Sequence, residues 1–203
     1  MTLDEVTVVI VPGLRDHVPL HWQTLLQAQL PRAVSVPPLT QHKLSRQARV
    51  DALQQVLEPI PGPVVLVAHS AGNAIVAHWA RTQRRAIHAA LLATPADLEN
   101  PLPAGYPSLS EIESNGWLPL PRVRLPFPSW LGFSRNDPLG SPQRLQALAA
   151  DWGSRAVDLG EVGHLNPAAG FGHWPQALPL LQQLLEAVAA APGVPRAGRG
   201  SAP

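Results

Sequence analysis

The chain has 203 residues, of which 45% are apolar and only 14% charged; its formal net charge is +1 and it has no cysteine. That length suits one domain with a substantial core rather than two. The charge balance leaves no footprint for nucleic acid and no polybasic membrane patch, and the lack of cysteine removes disulfides, thiolate metal sites and a thiol nucleophile. The N-terminus carries Asp4 and Glu5 before a short apolar run, unlike a signal peptide, and no run approaches the ~20 apolar residues of a membrane span. A soluble, cytoplasmic protein is expected.

Val6–Val11 is a β-branched run closed by Pro12–Gly13, the pattern of a strand buried on both faces. Apolar positions 22, 25, 26 and 30 then predict a helix that Pro31 stops. Ala33–Val36 reads as a short strand. Ser45 caps a helix that reaches about Leu57, and Pro59–Gly62 turns the chain. Val64–Ala68 is the most apolar strand, followed by His69–Ser70–Ala71–Gly72 and a buried helix from Asn73 to about Arg85. Arg81, Arg84 and Arg85 fall where that helix ends, which suits its dipole. Ile87–Ala93 is another buried strand.

Residues 95–126 are proline-rich and loop-like. About thirty such residues inside a domain suggest a lid or pocket wall, with Trp117 as the pocket candidate. Ser129–Phe133 is a strand. Ser141–Pro142 opens a helix to about Trp152. Ala156–Leu159 is the last strand, a loop holds His164, and Trp174–Ala191 is the last helix. The expectation is one domain over 1–191 and a disordered tail over 192–203.

Strands alternating with helices imply a mostly or wholly parallel sheet of about six strands, an α/β three-layer sandwich with helices on both faces. Ligands of such sheets bind beyond the carboxyl ends of the strands. Three of those ends carry Ser70, Asp137 and His164, in the chain order of the α/β-hydrolase triad. A-H-S-A-G (Ala68–Gly72) approximates the nucleophile elbow G-x-S-x-G, with Ala68 at the first glycine. A serine hydroxyl needs a base, here His164, and the base needs an acid, here Asp137, to orient it and stabilise its cation. The N–H groups of Ala71 and Leu14 are the expected oxyanion donors.

Other residues compete for these roles. Asp97 also follows a strand and is the rival acid. His69 should point away from the nucleophile and be structural. His17 and His21 flank the oxyanion loop without further metal ligands nearby, so packing or surface roles are favoured.

Four pieces together resemble a known family: V-P-G-L…H-W-Q (Val11 to Gln23), A-H-S-A-G, S-R-N-D-P (Ser134–Pro138) and G-H-L-N-P-A-A-G-F-G-H-W-P (Gly163–Pro175). The chain is similar to the small serine-hydrolase family that includes retinoblastoma-binding protein 9 and many bacterial relatives. The resemblance implies an α/β-hydrolase fold, a Ser–Asp–His triad, esterase-like action on small acyl substrates, and no cofactor or metal. It departs from the family after the second strand, where an Asp–Trp pair and a proline are usual and Pro38–Ser45 reads P-L-T-Q-H-K-L-S. The expected activity is cleavage of small esters, with amides as a further option. Acyl transfer by the same residues, or a binding module with little turnover, are the alternatives; a protein partner is left open.

Overall fold

The apolar runs become the strands of one sheet. β1 (Thr7–Val11), β2 (Ala33–Ser35), β3 (Val64–His69), β4 (Ala89–Ala93), β5 (Ser129–Phe133) and β6 (Arg155–Asp158) lie in the order β2-β1-β3-β4-β5-β6, and every pairing is parallel. The computed structural model describes residues 1–16, 18–82 and 85–191. The expectations for His17, for Arg84 and for a disordered tail over 192–203 fall outside them.

β3 and β4 are buried along their whole length, while β6 is a largely exposed edge. Successive side chains of a strand point to opposite faces, so each strand feeds two cores. Val9, Val11, Leu66, Ala68, Leu92 and Leu131 pack with α2 (Arg46–Leu57), α3 (Gly72–Ala80) and α5 (Pro142–Trp152). Val8, Ile10, Val65, Val67, Leu91 and Trp130 pack in the second core, with α1 (Trp22–Gln27) and α6 (Ala177–Ala190). The α/β three-layer sandwich with a wholly parallel sheet follows.

Local chemistry sets the helix ends. Ser45 accepts from the Ala48 N–H at 3.3 Å, and Ser141 accepts from the Arg144 N–H with Pro142 in the first turn. α3 stops at Ala80, earlier than its apolar pattern suggested. Arg85 serves the end of α2. Its guanidinium donates to the carbonyls of Leu57, Ile60 and Gly62, satisfying the end of α2 and the turn beyond it.

The 95–126 segment is not loop throughout. It holds α4 (Leu109–Ser114), opened by a capping box in which Ser108 and Glu111 satisfy each other's backbone N–H. Ile112, Trp117, Leu120 and Leu125 from this segment are buried in the α2/α3 core. No helix among the described residues is long and apolar enough to cross a membrane.

From β1 the chain passes to β2 on one side, then crosses to β3 on the other. The crevice between the carboxyl ends of β1 and β3 is therefore a topological switch point, where open α/β sheets bind ligands.

Candidate active site

Ser70 occupies that crevice. It sits between β3 and α3 with φ +57°, a left-handed conformation uncommon for a side-chain-bearing residue. The turn is held from below. The Asn73 side-chain amide donates to the carbonyls of Ser70 and Ala93, both at 2.9 Å. A Cβ on Gly72 would lie 2.3 Å from the Val11 carbonyl oxygen, so only glycine lets α3 start this close to β1. Ala68, by contrast, is inside the strand, and its methyl packs in the core. The elbow keeps the glycine that sterics demand and replaces one they do not. Gly13, at the end of β1, faces the serine: a Cβ there would be 3.0 Å from Ser70 Cβ.

His164 and Asp137 meet this serine. Ser70 Oγ is 2.8 Å from His164 Nε2, and His164 Nδ1 is 3.0 and 2.9 Å from the two Asp137 carboxylate oxygens. A carboxylate only accepts, so Nδ1 carries the proton and Nε2 is left to accept from the serine hydroxyl. Asp137 also accepts from the Leu139 N–H at 2.8 Å. Both His164 and Asp137 are buried. Asp97, the rival acid, points elsewhere; it is bound by Arg144 at 2.6 and 3.0 Å.

Several positioning contacts went unassigned in the sequence. Ser134 Oγ accepts from the Val162 N–H, and Asn136 Oδ1 from the Gly163 N–H at 2.7 Å, so the S-R-N-D-P segment latches the histidine loop. His69 is buried, and its Nε2–H donates to the His164 carbonyl at 2.8 Å. Burial, together with the neighbouring His164 and His21 rings, holds the His69 pKa well below the ordinary imidazole value. His69 is therefore the neutral Nε2–H tautomer. His21 caps α1, accepting from the Gln23 N–H, and Gln23 donates to the carbonyls of Val11 and Val67 across β1 and β3. The local signal for these roles was only that the residues belonged to quoted motifs.

Arg49 carried no such signal. It is buried on α2, and its guanidinium donates to the carbonyls of Lys43, Gly13 and Leu14 and to Asp16 at 2.5 Å. The loop after β1 is thus braced from behind. Among the described residues, the N–H groups of Leu14 and Ala71 have no protein acceptor, and both residues line the cleft beside Ser70.

The cleft encloses about 400 Å³. Its walls include Leu44, Leu98, Leu102, Tyr106, Pro107 and Leu139 around the serine. Trp117, expected at the pocket, is not there. It is fully buried, with its indole N–H donated to the Leu44 carbonyl at 2.7 Å and its own carbonyl bound to His78. The same segment reaches the cleft instead through residues 98–107. Among the described residues no cluster of His, Asp and Glu is placed to hold a metal ion.

The model of a family described as serine hydrolase matches residues 8–183. A crystal structure described as a YdeN-like hydrolase from Pectobacterium atrosepticum is 29% identical, with a TM-score of 0.76 over 91% of this chain and 93% of that one. The ydeN product of B. subtilis is 18% identical, with a TM-score of 0.69 over 89% and 98%. A thermophilic esterase from Thermogutta terrifontis is 14% identical, with a TM-score of 0.63 over 90% of each chain. At these identities the last two attest the fold alone. No curated protein matches the sequence.

Proposed function

The chain belongs to the serine hydrolase family, and from that premise we propose that it cleaves esters of small substrates through an acyl-enzyme on Ser70. The observation that carries this reading is the unbroken line from the Ser70 hydroxyl through both nitrogens of His164 to Asp137. An esterase among the structural neighbours shares only the fold, so ester chemistry is argued from the site.

His164 Nε2 takes the hydroxyl proton as Ser70 attacks the carbonyl carbon, and Asp137 stabilises the resulting imidazolium. The N–H groups of Leu14 and Ala71 receive the negative charge that develops on the carbonyl oxygen. Collapse expels the alcohol, which takes the proton from His164. Water, deprotonated by the same nitrogen, then attacks the acyl-enzyme, and the acid leaves as His164 returns the proton to Ser70 Oγ. Amides would follow the same route with the amine protonated on leaving. In this reading residues 98–107 form one wall of the acyl or alcohol pocket rather than a free lid.

A fluorophosphonate probe tests the reading. Wild-type protein is expected to be labelled at Ser70, while Ser70→Ala and His164→Ala lose labelling and about 10⁴-fold or more in p-nitrophenyl butyrate turnover. Labelling that survives Ser70→Ala overturns it.

A further inference from the structure

The cleft is electrostatically lopsided. Its apolar wall comes from residues 98–107 and Leu139, whereas the loops after β1 and β2 bring Arg15 and Lys43 to its rim. Both side chains are exposed, and among the described residues neither is in an ion pair. Among the described residues the one carboxylate lining the cleft is Asp16, and it is already bound by buried Arg49. That guanidinium does two things at once. It neutralises that carboxylate. It also ties the Lys43 carbonyl to the Gly13 and Leu14 carbonyls, so the two loops that carry these cations are held together. Arg15 is further steadied over the Tyr106 ring, 5.1 Å from its centroid.

We propose that this cleft takes amphiphilic anionic esters, with an apolar portion against residues 98–107 and Leu139 and a carboxylate or phosphate held by Arg15 and Lys43. The proposal rests on the serine-hydrolase reading and names the substrate class of that site. Two unpaired cations at a low-dielectric rim attract an anion more strongly than they would in open water, and they raise its local concentration. A neutral ester gains nothing from them.

The test compares kcat/KM for matched pairs at low ionic strength. Mono-p-nitrophenyl glutarate against p-nitrophenyl hexanoate places a carboxylate on the acyl side. 2-Phosphoethyl hexanoate against ethyl hexanoate, followed by acid release, places a phosphate on the alcohol side. In at least one pair the anionic-to-neutral ratio is expected to fall about tenfold in the Arg15→Gln/Lys43→Gln double variant. It should fall similarly for the wild type in ~0.5 M salt, where screening shortens to a few ångströms. The pair that responds identifies the anion. Ratios unmoved by both changes, with Ser70 still labelled by fluorophosphonate, overturn the anion site alone. Absence of Ser70 labelling overturns the hydrolase reading, and this proposal with it.

Discussion

The floor and the wall of the cleft are held by different forces. The floor, made of the Ser70 turn, the Asp137 loop and the His164 loop, hangs on directional hydrogen bonds at the ends of β3, β5 and β6. Several atoms there hold two partners at once: the Asn73 amide spans the Ser70 and Ala93 carbonyls, and one Asp137 oxygen accepts from both the Leu139 N–H and His164 Nδ1–H. The wall over residues 95–126 is held by apolar side chains in the core and by ion pairs at its surface. Arg144 binds Asp97 and Glu99, and Arg122 binds Glu99 and Asp151. Apolar packing tolerates substitution of similar volume, and exposed ion pairs contribute little. Geometry that chemistry needs is thus built from directional bonds, and a surface that selects substrates is built from side chains that can vary.

The largest test of this contrast sets two aspartates against each other. Asp137→Asn is expected to lower kcat on p-nitrophenyl butyrate by on the order of 10⁴-fold, because an amide orients the wrong imidazole tautomer. Asp97→Asn, on the wall, should change kcat less than about threefold and stability by at most about 1 kcal/mol. A loss of turnover confined to Asp97→Asn would invert the assignment of the acid.

Arg49 makes an intermediate test, since it braces the floor from a helix. Arg49→Met leaves Asp16 and three carbonyls without their donor. It should cost about 3 kcal/mol in urea unfolding and roughly 10- to 100-fold in kcat with little change in KM, as the loop carrying the Leu14 N–H loosens. Equal loss in kcat and stability for Arg49→Lys as well would show that the fork geometry matters, not charge alone.

The smallest effect is read in pH. The folded pKa of His69 lies well below 6.5, with burial the main cause. The unfolded chain therefore binds a proton that the folded chain refuses as pH drops below about 6.5. His69 makes stability fall with acidity over that window, by up to about 1.4 kcal/mol per pH unit. His69→Gln, which can keep a donor toward the His164 carbonyl, should flatten the slope of unfolding free energy between pH 6.5 and 5. An unchanged slope would mean that the ring is protonated in the fold.

Much of this arrangement was legible from local pattern. The β-branched runs, the serine-initiated helices and the glycine beside Ser70 each report a short-range constraint, and such constraints are written in neighbouring residues. The capping box of Ser108 and Glu111 was equally local, but lay among prolines that suggested loop. Trp117 misled because a large aromatic in a loop carries no local mark of which side it faces; its side chain belongs to the core that α2 and α3 complete.

The sequence by itself determined the class of sheet, the serine at the turn and the chain order of Ser70, Asp137 and His164 at three strand ends, because strand burial and turn sterics act over a few residues. Only the tertiary structure sets Asp137, and not Asp97, against His164. Both follow strands, but β5 pairs directly with β6, so the Asp137 loop lies beside the His164 loop while Asp97 meets Arg144 on α5. It alone also made Arg49 the brace of the loop after β1. A hydrogen bond between α2 and the loop after β1 has no periodicity to read; it exists only once the sheet has brought its partners within 3 Å.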